Sequence, residues 1–188
     1  KEVHGEDIAS ETINLESPLA IHLGQALTKA NKFDVILRKS VELGVRSVTP
    51  LTTERCVVKT HRTEIDKKIG RWGKIALESS KQCGRSQIPT VAENIETLET
   101  FCRRNDNQDL KLVFWEREET KTLKDIELNA EPRSVAVLIG PEGGFSQAEI
   151  DAVRRFGFQT VSLGPRILRA ETAPVVALAL LQSLWGDL

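Results

Sequence analysis

Cysteine is scarce in this chain and poorly placed for any shared task. Cys56, Cys83 and Cys102 are odd in number and far apart, and no Cys-x-x-Cys pair occurs. That argues against a disulfide framework and a cysteine-built zinc site, and it points to reduced thiols in a cytoplasmic protein. Histidine is as rare. His4, His22 and His61 are scattered without metal-ligand spacing, so no metal is expected. No apolar run approaches the roughly 20 residues that a membrane-spanning helix requires, so no membrane is expected as a partner. The longest, 174–184, reads as a core or interface helix. Nor is positive charge in excess. Twenty-six Lys and Arg face 27 Asp and Glu, for a net charge of −1 and a pI near 6.4. A basic footprint common in nucleic-acid domains is therefore missing from the bulk composition. The cations are instead clustered: Lys59, His61 and Arg62; Lys67, Lys68, Arg71 and Lys74; Lys81 and Arg85; Arg166 and Arg169. Tyrosine and methionine are absent, and the chain opens on Lys1.

What is present is an alternation of two periodicities. Short β-branched runs read as strands over 19–23, 45–51, 110–114, 135–139 and 158–163. Between them, helices are expected over 33–43, 64–81, 95–104, 147–156 and 173–185. In the first, Phe33, Ile36, Leu37 and Val41 share a side and Gly44 stops the helix. In the second, Ile65, Ile69, Trp72 and Ala76 form the apolar side, opposite Lys67, Lys68, Arg71 and Lys74. Strands alternating with helices predict an α/β fold with a mostly parallel sheet. No internal repeat or low-complexity segment interrupts it, and 116–133 is the most polar stretch, expected as an exposed connection.

Two strand–loop–helix junctions carry the chemistry. After the 135–139 run comes Gly140-Pro141-Glu142-Gly143-Gly144, whose glycines permit a tight turn and close ligand approach. Ser146-Gln147-Ala148-Glu149 is a capping box, so a helix starts there. After 158–163 comes Gly164-Pro165-Arg166-Ile167-Leu168-Arg169-Ala170-Glu171-Thr172, with Thr172 expected to cap a helix that holds Pro174 in its first turn. Two such junctions can share one crevice at the carboxyl ends of neighbouring strands. The glycine loop matches neither the Gly-x-Gly-x-x-Gly dinucleotide fingerprint nor a phosphate loop. Glu142 in the loop would also repel a polyphosphate.

Taken together, Gly-Pro-Glu-Gly-Gly and Leu-Gly-x-x-Ile-Leu-Arg-x-Glu-Thr-Ala resemble the S-adenosylmethionine site of the SPOUT methyltransferases. Within that superfamily they are similar to the ribosomal RNA small subunit methyltransferase E family, which methylates uridine at N3. Arg38 to Val45, Thr49-Pro50-Leu51, Glu54-Arg55-Cys56, Gln82-Cys83-Gly84-Arg85, Leu181-Gln182 and Gly186-Asp187-Leu188 extend the resemblance from about Ile21 to Leu188. It implies a SPOUT-type sheet with a C-terminal trefoil knot between Leu110 and Leu188, and a homodimer formed through the knotted region. It also implies an N-terminal PUA-like barrel that is largely missing here. Residues 1–18 are expected to be its remnant and linker, and 19–188 the methyltransferase domain.

The resemblance further implies where the cofactor S-adenosylmethionine sits. Gly140, Pro141, Glu142, Gly143 and Gly144 would wrap its ribose and methionine side. Ile139, Leu163, Gly164, Ile167, Leu168, Thr172 and Ala173 would line the rest, with Phe114, Trp115 and Glu116 as a further wall. Trp115 could stack on the cofactor or simply belong to the core, and Glu142 could hold the ribose hydroxyls or offset the sulfonium charge. For catalysis, Arg169 is the leading candidate to stabilise negative charge developing on a uracil whose N3 proton must leave. Glu171 would accept that proton or orient Arg169, unless the pair only shapes the knot. Arg55, Gln82 and Arg85 are candidates to bind RNA, or ordinary polar residues. The expected activity is methylation of N3 of a uridine in 16S rRNA of the small ribosomal subunit. A SPOUT ribose 2′-O-methyltransferase acting on tRNA or rRNA, and a non-catalytic RNA-binding assembly factor, stand as alternatives.

Overall fold

A computed structural model describes residues 15–56 and 62–188. Most of the expected barrel remnant, together with Lys59 and His61 of the first cationic cluster, lies outside the described residues. Among the described residues five α-helices and seven strands follow in the order β1 (Ala20–Ala26), α1 (Lys32–Glu42), β2 (Ser47–Thr52), α2 (Arg62–Cys83), β3 (Thr90–Val91), β4 (Glu96–Thr97), α3 (Leu98–Arg104), β5 (Leu110–Phe114), β6 (Ser134–Ile139), α4 (Gln147–Arg154), β7 (Gln159–Val161) and α5 (Ala173–Trp185). The strands run in the order β3-β2-β1-β6-β5-β7, with β4 also on β2. Every pairing is parallel, as the alternation of strands and helices predicts.

A parallel sheet buries both faces, and strand periodicity sorts side chains between them. Ile21 and Leu23 of β1, Leu112 and Phe114 of β5, and Val135, Val137 and Ile139 of β6 join Phe33, Ile36, Leu37, Trp72, Leu178 and Leu181 in one core. That is the face covered by α1, α2 and α5. On the other face Leu51, Val113, Trp115, Ala136 and Leu138 pack with Phe101, Phe145, Ile150 and Phe158 under α3 and α4. Gly24 faces this second core, where a Cβ would press into Leu138, Leu51 and Phe101 at 2.8–3.0 Å. The position therefore has no room for a side chain. On α2 the expected apolar side holds: Trp72 and Ala76 are buried, and Trp72 Nε1 donates to Asp34 Oδ1 at 3.0 Å. Arg71, from the cationic side, reaches the same Asp34 carboxylate.

The boundaries differ in four informative places. β1 continues through Gly24 and Gln25 to Ala26, because both register partners, β2 and β6, extend alongside it. The expected helix over 95–104 opens with the short strand β4, and the Thr97 side chain then accepts from Thr100 N to start α3. β7 stops at Val161, since the Ser162 amide turns away to the Lys121 carbonyl at 2.7 Å. Thr172 precedes α5 but does not cap it through its side chain. Its backbone is helical (φ −88°, ψ −40°), whereas side-chain capping needs extended dihedrals, and Pro174 removes one N–H it would have served. Ser146 behaves as expected: its side chain and that of Glu149 complete a reciprocal capping box.

No helix among the described residues is long and apolar enough to cross a membrane. No group of three or more metal-ligating side chains occurs among them either.

Candidate active site

The carboxyl ends of β5, β6 and β7 open into one cavity of about 520 Å³, inside the usual range of about 300–1,000 Å³ for small-molecule sites. Three connections wall it. Phe114, Trp115 and Glu116 end β5; Ile139 to Gly144 leave β6; Ser162 to Ala170 leave β7, with Ala173 from the start of α5. Of the fifteen residues expected to hold a cofactor, Thr172 alone is off the lining, and Arg169 of the expected catalytic pair is on it. Lys32, Ser162, Pro165, Arg166 and Ala170 complete the wall.

The glycine loop is shaped by positive φ and by close neighbours. Gly144 has φ +65°, and a Cβ there would collide with the Glu116 carboxylate. At Gly140 a Cβ would press on the Gly144 backbone at 3.3 Å, so the loop doubles back on itself and leaves no room for a side chain there. The loop is held from outside by the segment after β2. Arg55 Nη1 donates to the Gly143 carbonyl at 2.9 Å, and Glu54 N donates to Glu149 Oε1 at 2.7 Å.

Trp115 packs in the second core as well as lining the cavity, and its buried Nε1 has no hydrogen-bond partner. Ile167 also lines the cavity, with 85% of its surface exposed. An apolar wall, a backbone-lined loop and an orphaned buried donor together fit a nucleoside with a flat ring and polar edges.

Lys32, which carries no sequence motif, is the unexpected member. Its Nζ lies 3.2 Å from Glu142 Oε1 and 3.2 Å from Glu171 Oε2. Lys29 N also donates to Glu142 Oε1 at 3.1 Å. Hydrogen bonds that the ammonium donates to Glu142, then to Glu171, hold Lys32 above its ordinary value. Burial pushes the Glu142 carboxyl up, but its own amide, Lys29 N–H and Lys32 outweigh that, and the group titrates below its usual value. Glu171 is lowered as well, first by its own amide and then, against some burial, by Lys32 and Arg169. Glu171 is therefore an ionised carboxylate engaged with Lys32 and near the Arg169 charge. Its pairing with Lys32 is not legible in the sequence, because the two are distant in the chain and come from different elements.

The expected RNA contacts do not gather at the cavity. Arg55 grips the glycine loop from outside. Gln82 is exposed near the end of α2. Arg85 is spent within the fold: its guanidinium, 5% exposed, donates to the Val41 and Val45 carbonyls and to Glu16 Oε2.

The family model of the RNA methyltransferase domain matches residues 15–182. Ribosomal RNA small subunit methyltransferase E of Buchnera aphidicola subsp. Acyrthosiphon pisum is 41% identical over 175 residues, covering 93% of this chain and 67% of that protein. The protein of the same name from Bacillus subtilis is 33% identical over 175 residues, covering 88% and 66%. Among solved structures, a methyltransferase of Legionella pneumophila in complex with the cofactor SAM superposes with a TM-score of 0.87 at 44% identity, over 94% of this chain and 71% of that one. A ribosomal RNA small subunit methyltransferase E of Neisseria gonorrhoeae bound to S-adenosyl methionine does so with 0.81 at 37% identity and the same coverage. Sequence and fold agree, and the chain belongs to the ribosomal RNA small subunit methyltransferase E family of SPOUT methyltransferases.

Proposed function

We propose that this protein transfers a methyl group from S-adenosylmethionine to N3 of a uridine in the 16S rRNA of the small ribosomal subunit. The observation that carries this reading is the cavity shared by the ends of β5, β6 and β7, in a chain so similar to relatives solved with that cofactor. The bound cofactor supplies an activated methyl. Ile139, Leu163, Ile167 and Leu168 offer aliphatic surface for adenine, and the Gly140–Gly144 loop offers backbone amides. Arg169 faces the cavity and is exposed, free to approach a uracil carbonyl and stabilise the charge left when N3 loses its proton. Glu171, ionised and two residues away, serves as the acceptor or orients Arg169.

Four features of the assembled enzyme belong to the same proposal. The C-terminal segment forms a trefoil knot, a reading supported by the path of the chain, which after β7 at the sheet edge bonds to the 115–133 connection at Lys121. It then returns to α5, which is anchored by Gln182 Nε2 to the Leu43 carbonyl at 2.8 Å. Two protomers pair through this region, where Leu180 and Leu184 of the strongly apolar α5 are exposed. A PUA-like barrel precedes the 19–188 domain, and the enzyme works in the cytoplasm. Calorimetric titration of the protein with S-adenosylmethionine, followed by transfer of labelled methyl to small ribosomal subunits, tests the reading.

A further inference from the structure

Lys32 stands at the first residue of α1, outside every motif of the site, yet its ammonium meets a carboxylate from each of the two long cavity loops. Among the described residues no hydrogen bond runs directly between the glycine loop and the 163–172 segment. The link between them is Lys32. Its two partners are not held alike. Glu142 is also bound by the Lys29 amide at 3.1 Å, so its loop keeps an anchor without the ammonium. Glu171 Oε2 is buried and has no hydrogen-bonded partner apart from this ion pair. The segment that depends on Lys32 is thus the one that carries Arg169.

We propose that Lys32 is a positioning residue for methyl transfer, acting through Glu171 to fix the Arg169 segment against the cofactor loop. This rests on the cofactor and acceptor reading above. Small displacements of a group that must meet the acceptor are costly, because alignment supplies much of the rate. Losing the ammonium should therefore slow the methyl-transfer step more than it weakens cofactor binding. A purely structural role would lower stability and leave that ratio unchanged.

The test compares wild-type full-length protein with Lys32→Met, Lys32→Arg, Glu171→Gln and the Lys32→Met/Glu171→Gln double variant. Cofactor affinity is measured by calorimetry, and single-turnover methylation of small subunits on the same preparations. In Lys32→Met the rate is expected to fall about ten- to a hundredfold, with cofactor affinity changed less than about threefold and Lys32→Arg regaining most of the rate. The double variant should be no slower than Glu171→Gln alone, since the two act as one pair. Lys32→Met methylating at the wild-type rate, or losing affinity and rate in equal proportion, would overturn the positioning role alone. A wild type that binds no S-adenosylmethionine would overturn both this role and the function on which it rests.

Discussion

Arg55 Nη1 donates to the Gly143 carbonyl oxygen at 2.9 Å, and a Cβ on Gly143 would stand 3.1 Å from the Arg55 Cβ. A residue expected to touch RNA therefore braces the loop expected to touch cofactor. An exposed charge-assisted bond of this kind contributes about 1 kcal/mol. Arg55→Ala should weaken S-adenosylmethionine binding about three- to tenfold, measured by calorimetry, with little change in thermal stability. Unchanged affinity would limit Arg55 to the acceptor side.

Gly144→Ala should damage the same loop by another route. Its φ of +65° is strained for any residue with a Cβ, at a cost of about 1–3 kcal/mol, and the new methyl displaces the Glu116 carboxylate. Urea denaturation should show the stability loss, and calorimetry a weaker cofactor affinity. Because the Glu116 carboxylate ends a flexible side chain, Glu116→Ala should relieve the collision but not the backbone strain.

Arg85 tests the fold rather than the site. It bridges the segment before β1 to the end of α1, and neither it nor Glu16 is more than 11% exposed. Arg85→Met strips partners from a buried carboxylate and two carbonyls, and should cost about 3 kcal/mol in urea denaturation. Burial raises the Glu16 carboxyl, but Arg85 and the Gln87 amide more than offset this and hold it below its unfolded value. Its contribution is therefore present above the unfolded pKa of about 4.5 and lost as pH falls through the lower folded value. If Arg85→Met loses RNA binding while keeping wild-type stability, this description of Arg85 is wrong.

The 115–133 connection has its own pH signature. Thr160 Oγ1, against some burial, together with Thr120 and the Lys121 amide brings Glu118 down to about 2 from 4.5. With the folded pKa below the unfolded one, Glu118 stabilises fully above about 4.5 and loses that contribution as pH falls toward 2. Glu118→Gln should thus be less stable than wild type at neutral pH. The gap should narrow below pH 4.5, followed by thermal melts across that window.

How much of this was legible in the residues depended on range. The Ser146–Glu149 box and the β5 and β6 runs are local patterns, and all appear where the spacing places them. Most of the cavity lining was readable too, because both loops follow buried strands in a parallel sheet, whose carboxyl ends converge. β3 and β4 have two residues each, too short for any periodicity. Thr172 reads as a cap by residue type, but its dihedrals are set by the chain's return from β7, which is tertiary. The Lys32 clasp and the Glu16–Arg85 bridge join residues distant in the chain, where identity alone says nothing of proximity.

The measurement that bears most directly on the central claim is transfer of labelled methyl from S-adenosylmethionine to small ribosomal subunits taken from a strain lacking this gene. The full-length protein is used and the RNA is digested to nucleosides. Label is expected in 3-methyluridine, and Arg169→Ala should abolish it while still binding cofactor. Label in a 2′-O-methyl nucleoside, or none despite tight cofactor binding, would contradict the claim.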